Sequence, residues 1–283
     1  MHEFARFFIC CLVVLPIGFS LFTYILFWYE ISWSPYLDTL HRMSGGRTRQ
    51  WIASGLFSSA ISVLLVVTTY PFGYLRRLQV SEPDFSSSLP PVILVHGLYH
   101  NPGAWILFRR RLKASGFKNV YALRYSSWTR TFPDILEDLE RMVLEVNRLF
   151  PDKPAILIGH SLGGLLGHAC LQRLRDKGGI ATLVTLGTPH HGSKLAGLGL
   201  GRLAQSLAYH GPLTDEISSR PPVLSVPLFA FYSPVDNMVL PFDALLPAGK
   251  HWIEEITAPI SHVAMLYHAG TASRVIARIS NSL

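Results

Sequence analysis

One hexapeptide constrains this chain more than any other stretch: Gly159-His160-Ser161-Leu162-Gly163-Gly164, directly after the apolar run Ala155-Ile156-Leu157-Ile158. It fits G-x-S-x-G, a sharp strand-to-helix turn that holds a serine hydroxyl exposed. A Cβ at the flanking glycines would crowd so tight a backbone, and glycine tolerates dihedrals that other residues avoid. The pentapeptide also occurs by chance, so its context decides its worth. Here a short β-prone run precedes it and a helix-like stretch, Leu162 to Lys177, follows. A merely structural glycine-rich turn fits that context less well, and Ser161 is read as a nucleophile.

Around this turn, strands and helices alternate to the C-terminus. Val92–Val95 reads as a short buried strand, followed by a helix over Ala104–Ser115 and a strand over Val120–Tyr125. Asp134–Leu149 is helical, with Ile135, Leu139, Met142, Val143 and Val146 on one side and acids on the other. Ile180–Leu186, Pro227–Tyr232 and His251–Ile256 read as further strands, and His262–Ile279 as a closing helix. Strands that are apolar throughout, separated by helices, predict an α/β architecture with a mostly parallel sheet covered on both faces.

The N-terminal part differs in kind. Hydrophobic residues are 49% of the 283, and the excess is concentrated there. Phe7–Tyr29 and Trp51–Leu75 contain no charged residue, and each exceeds the about 20 residues a helix needs to cross a bilayer core. Phe7, Phe8, Trp28, Tyr29, Trp51, Tyr70 and Tyr74 mark their ends, where amphipathic rings settle at a membrane interface. A cleaved secretory signal does not fit: the first run is too long, lacks a small-x-small site and is followed by a second run of the same kind. A buried core helix is the alternative for the second run. The expected organisation is a two-helix transmembrane hairpin within residues 1–78, a Ser- and Pro-rich linker over 79–91, and a catalytic domain over 92–283. Arg42, Arg47 and Arg49 balance Arg6, Arg76 and Arg77 across the hairpin, so the positive-inside rule selects no side.

The net charge of +7 suits contact with anionic lipid. Its densest cluster, Arg109-Arg110-Arg111 with Lys113, reads as the solvated face of a helix. No nucleic-acid module is recognisable. Cys10, Cys11 and Cys170 make neither a disulfide framework nor a metal pattern.

A serine hydroxyl becomes a nucleophile when a base takes its proton, so a histidine must reach it and an acid must orient that histidine. In a doubly wound sheet such groups sit on loops at the carboxyl ends of strands. With this elbow their chain order is serine, acid, histidine. Asp236, in Ser233-Pro234-Val235-Asp236-Asn237-Met238-Val239 just after a strand, is the expected acid. Asp243 is the runner-up, Glu254 and Glu255 fall within a strand, and an Asx-type turn is the structural alternative for Asp236. His262 is the expected base, His268 falling inside the closing helix and His251 opening the last strand. Oxyanion stabilisation needs two backbone N–H donors, here Leu162 and Leu98. His96 reads as a loop brace. The adjacent His190 and His191 diverge on an extended turn and lack an evident third ligand, so bracing is the better reading than a metal site. The long segment Lys194–Val223 keeps two readings open: an ordinary cover over the sheet, or a lid or acyl-chain wall.

With these motifs in hand, the chain from Val92 onward resembles the α/β-hydrolase superfamily. Within it the resemblance is to the bacterial lipase and esterase group that includes relatives of GPI inositol-deacylases. Val92-Ile-Leu-Val-His-Gly-Leu98, Ile158-Gly-His-Ser-Leu-Gly-Gly164 and Leu183-Val-Thr-Leu-Gly-Thr-Pro-His-His-Gly-Ser193 carry it, with weaker matches at 233–239 and 261–263. The resemblance implies an α/β-hydrolase fold behind the hairpin, with Ser161, Asp236 and His262 as a triad and Leu98 and Leu162 as the oxyanion hole. Taken with the apolar hairpin, which places the site near acyl substrates, the expectation is a serine hydrolase cleaving carboxylic esters of lipids or acyl chains, set in a bacterial inner membrane, with no cofactor and no nucleic-acid partner. An acyltransferase using the same acyl-enzyme and a catalytically silent binding protein are the alternatives. Secreted members often bind calcium through an aspartate shortly after the histidine; Val263, Ala264 and Met265 stand there instead, so no metal is expected.

Overall fold

The six strands among the described residues lie parallel in one sheet: β1 (Val92–Val95), β2 (Val120–Leu123), β3 (Ala155–His160), β4 (Ile180–Leu186), β5 (Leu228–Tyr232) and β6 (Trp252–Ile256). The computed structural model describes residues 2–175, 179–220, 223 and 225–283, and their side chains from residue 12 onward. Lys177 and the side chains of Arg6, Phe7, Phe8, Cys10 and Cys11, which entered the sequence reading, lie outside that description. The spatial order is β2-β1-β3-β4-β5-β6. The chain enters at β1, steps out to β2 and returns to β3 on the other side of β1. That reversal makes the carboxyl ends of β1 and β3 the topological switch point, where open α/β sheets bind ligands. Val95 pairs with Gly159, so the loop after β1 emerges beside the end of β3.

Alternation along each strand feeds two cores. Ile93, Val95 and Leu157 point into one, beneath α6 (Phe132–Leu149) and α7 (Leu162–Arg173). Val92, Leu94, Ile156 and Ile158 point into the other, with α5 (Ile106–Ala114) and α10 (Ala269–Asn281). Two-sided burial is the reason these strands carry no polar alternation. The closing helix departs from the sequence reading. A 3-10 turn over Val263–Leu266 follows His262, and α10 starts only at Ala269. His268 ends the break: its Nδ1 accepts from Thr271 N at 3.1 Å, a side-chain cap on an otherwise orphaned donor.

The N-terminal part forms α1 (His2–Ser32), α2 (Tyr36–Met43) and α3 (Thr48–Thr69), then a 3-10 turn over Tyr70–Tyr74 and a short α4 (Arg76–Gln79). Helix α2 was not expected from sequence. Stretches Leu12–Ser32 and Thr48–Tyr74 are long and apolar enough to cross a membrane. Ser20 Oγ donates to Ser59 Oγ at 2.9 Å between α1 and α3. The hairpin is not separate from the sheet domain. Gly55 abuts Val235, Ser58 bonds Ser261, Leu65 and Val66 pack on the second core, Thr69 meets Tyr267 and Gly73 abuts Asn101. From Gly55 to Thr69 this contact runs along about 21 Å of α3, at about 1.5 Å per residue. Away from this contact, Phe19, Phe22, Ile25 and Trp28 of α1 and Phe57, Ile61 and Val67 of α3 are exposed.

The Ser- and Pro-rich segment after α4 is also laced to the sheet. Ser81 Oγ donates to Val120 O at 2.7 Å and accepts from Val120 N at 3.2 Å, while Arg109 donates to Ser81 Oγ at 2.8 Å. Lys153 Nζ donates to Ser87 O at 2.6 Å. Between β4 and β5, the long connection carries a 3-10 turn at Lys194–Leu198 and two short helices, α8 (Arg202–Gln205) and α9 (Pro212–Ser219).

Candidate active site

Ser161 stands between the end of β3 and the start of α7 with φ +54° and ψ −122°, a conformation that costs strain in any residue with a side chain. The surroundings enforce it. Ser161 N donates to Leu186 O at 2.9 Å, and Ser161 O accepts from Gly164 N at 2.9 Å and Thr188 Oγ1 at 3.2 Å. The three glycines have no room for a side chain. A Cβ would fall 2.3 Å from Gly163 O at Gly159, 2.1 Å from Val95 O at Gly163 and 1.8 Å from Thr188 Oγ1 at Gly164. His160 and Leu162 are buried while Ser161 is partly exposed, so the turn presents its hydroxyl alone. A Cβ at Gly97 would lie 3.0 Å from Ser161 Cβ. The backbone at Gly97-Leu98 and at Leu162 therefore adjoins the serine, where the two oxyanion donors were expected.

The loops after β5 and β6 bring Asp236 and His262 together. Asp236 Oδ2 and His262 Nδ1 lie 2.7 Å apart, with the carboxylate fully buried and the imidazole nearly so. The other oxygen, Oδ1, accepts from Met238 N at 2.9 Å and Val239 N at 3.0 Å. The Asx-type turn and the histidine partner are thus not alternatives: one carboxylate makes both. Gly187, at φ +55°, closes over the pair, and a Cβ there would meet His262 Nδ1 at 3.0 Å and Asp236 Oδ2 at 3.2 Å. The competing residues are engaged elsewhere. Asp243 accepts from Tyr209 Oη at 2.8 Å, Glu254 from Tyr232 Oη at 2.6 Å, and Glu255 pairs with Arg274 and Arg278. Ser161 Oγ makes no hydrogen bond among the described residues. Such nucleophile–base contacts often tighten only with substrate present.

Three more histidines pack beside this group. His96 donates from Nδ1 to Gly97 O at 2.9 Å and stacks on Tyr125 at 4.0 Å, the bracing role expected of it. Burial pushes its pKa down to about 3. His100 is pushed down to about 4, by burial first and by His262 second. His160 is held well below the ordinary histidine range by burial and by His262 and His100. Its Nε2 lies 3.1 Å from His262 O, and as the N–H tautomer donates to it. Neutral rings thus surround the candidate base without adding charge.

Asn237 Oδ1 accepts from His262 N at 3.2 Å, tying the acid loop to the histidine loop. Sequence reasoning missed this residue, Thr188 and Gly187; their positions inside already noted motifs were the only signal. His190 and His191 diverge as neighbours on a turn should. His190 is buried, with Trp252 at 5.1 Å between ring centroids, whereas His191 faces His210 at 5.4 Å. His191 has two neighbours with ligand-type atoms that the sequence did not reveal. His191, His210 and Asp215 bring potential ligand atoms within 4.8 Å of one another, the one such group among the described residues. All three come from the connection between β4 and β5.

The family model described as "Alpha/beta hydrolase family" matches residues 92–278. Methylesterase 3 of Arabidopsis thaliana is 30% identical over 105 residues, 35% of this chain and 40% of that protein; the chain thus matches less than half the length of that relative. The mature lipase BlEst2 of Bacillus licheniformis superposes with a TM-score of 0.58 at 18% identity, covering 71% of this chain and 95% of the lipase. Lipase B of Aspergillus fumigatus gives 0.58 at 15% identity, covering 72% and 56%. At these identities the two solved structures speak for the fold. All of the hairpin lies outside the family match.

Proposed function

The chain belongs to the α/β-hydrolase family, and from that membership we propose that it is a membrane-seated serine hydrolase that cleaves carboxylic esters of acyl chains. The observation that carries this reading is the buried Asp236–His262 pair at 2.7 Å, on the same end of the sheet as a serine held at φ +54°. Asp236 fixes the tautomer with the proton on His262 Nδ1, which leaves Nε2 as the base. Nε2 takes the proton of Ser161 as Oγ attacks the ester carbonyl. The carbonyl oxygen becomes an oxyanion stabilised by the N–H groups of Leu98 and Leu162. Imidazolium then protonates the departing alkoxide, the C–O bond breaks, and an acyl-serine remains. Water, deprotonated by the same nitrogen, attacks the acyl-serine and releases the acid.

The exposed apolar residues of α1 and α3 support a membrane location, because a contiguous face of this kind is unfavourable in water. They also motivate the choice of acyl esters, as does the occurrence of lipases and a methylesterase among the similar proteins. The test is hydrolysis of a p-nitrophenyl ester series of increasing chain length by detergent-solubilised protein, wild type beside Ser161→Ala. Turnover that needs Ser161 and rises with chain length is expected, with a loss on the order of a million-fold in kcat on substitution. Ester turnover that survives in Ser161→Ala would refute the mechanism, and a preference for the shortest esters would remove the acyl-chain assignment.

A further inference from the structure

The loops holding Asp236 and His262 receive much of their support from outside the sheet domain. Tyr24 Oη of α1 donates to Val235 O at 2.8 Å, and Tyr36 Oη of α2 donates to Pro234 O at 2.7 Å. Asn237 Nδ2 donates to Thr23 Oγ1 at 2.7 Å, while the same side chain accepts from His262 N. On α3, Ser58 Oγ accepts from Ser261 N at 2.8 Å. Residues on both sides of Asp236, and the residue before His262, are therefore pinned by hydroxyl groups of the hairpin. Gly55 marks where the parts meet. A Cβ there would fall 2.2 Å from Tyr24 Oη and 2.9 Å from Val235 Cγ2. Thr23, Tyr24 and Asn237 are buried, so these bonds form away from competing water and each lost partner leaves an unsatisfied polar group.

We infer that the hairpin is a positioning element of the catalytic apparatus as well as an anchor, with Thr23, Tyr24 and Ser58 as positioning residues for Asp236 and His262. The inference rests on the triad reading above. Thr23 acts through Asn237 on the backbone of His262, Tyr24 acts on the carbonyl preceding Asp236, and Ser58 acts on the amide preceding His262. None of the three touches the carboxylate or the imidazole. Their effect is to hold the two loops at the spacing that keeps Nδ1 on Oδ2 and aims Nε2 at Ser161.

The experiment uses the full chain in detergent and compares wild type with Thr23→Val, Thr23→Ser, Tyr24→Phe and Ser58→Ala. Steady-state kinetics on a p-nitrophenyl ester and the pH profile of kcat/KM are the readouts, with thermal unfolding recorded for each variant. Thr23→Val is nearly isosteric, which guards against a failure to fold. Expected is a fall of roughly tenfold or more in kcat with KM little changed, since sub-ångström misplacement of reacting groups acts on the chemical step. The acidic limb of the profile should move, and Thr23→Ser should restore both. Folded Thr23→Val and Tyr24→Phe proteins with wild-type kcat and pH profile would overturn the inference, as would equal losses in Thr23→Val and Thr23→Ser. Failure of the triad reading itself has a separate signature, namely fluorophosphonate labelling that persists in Ser161→Ala.

Discussion

The serine turn and the loops bearing Asp236 and His262 are built by opposite means. The turn is held by backbone bonds within the sheet and by glycines that leave no space for a side chain at 159, 163 and 164. Its glycines fall within six consecutive residues, and its outside supports, Leu186 and Thr188, belong to the end of the adjacent strand β4. The acid and histidine loops are pinned by side-chain hydroxyls 198 to 214 residues away in sequence. A locally specified site tolerates change elsewhere in the chain, whereas a site pinned from a distance transmits it.

The strongest way to probe this contrast is a substitution inside the turn. Gly163→Ala puts a methyl group 2.1 Å from Val95 O, where the strand cannot yield. It should cost at least about 3 kcal/mol of stability and remove ester turnover; a thermal melt and an activity assay read both. Asp236→Asn comes next. It preserves the turn and the shape of the loop but favours the wrong tautomer of His262, and a fall of about 10⁴ in kcat is expected. Asp243→Asn, in a residue tied to Tyr209, should stay near wild type, and a reversal of this order would move the acid to Asp243. A smaller effect is expected for Gly55→Ala, which pushes Tyr24 from Val235. Activity should drop roughly tenfold, while fluorophosphonate still labels Ser161 at a reduced rate.

The gentlest perturbation is acid. His96, His100 and His168 have pKa values pushed down to about 3, about 4 and about 4, chiefly by burial. Below the ordinary value of 6.5 the unfolded chain takes up protons that the folded one refuses. Stability is therefore complete above about pH 6.5 and falls as the pH drops toward 4, by several kcal/mol in sum. Denaturant midpoints measured between pH 8 and 4 check the sign. A midpoint that rose on acidification would contradict burial of these rings as neutral species.

The same contrast explains what could be read from the sequence. Strands β1 and β4 have the boundaries their apolar runs indicated, and the switch from β3 to α7 falls at Ser161 as the glycines required. These features depend on neighbours in sequence. The apolar character of α1 and α3 was equally plain, but not which face of α3 would meet Val235, Ser261 and Tyr267. Small and hydroxyl residues, Gly55, Ser58 and Ser62, line that contact, and in an apolar run they read as tolerated exceptions. The break before α10 was hidden because His268 looks like an interior helix residue until its bond to Thr271 is seen. His210 and Asp215 could not be associated with His191 without the path of the connection that carries them.

The sheet's outermost strands carry one more consequence. A strand with a free rim invites a strand from another molecule to add to it, and aggregation begins in this way. On β2 the rim at Val120 is occupied by Ser81, which satisfies both the N–H and the carbonyl. On β6, Arg274 donates to Ile256 O at 2.7 Å and, with Arg278, pairs with the buried Glu255. A strand adding at Val120 or at Ile256 would first have to displace Ser81 or Arg274 from the backbone it holds.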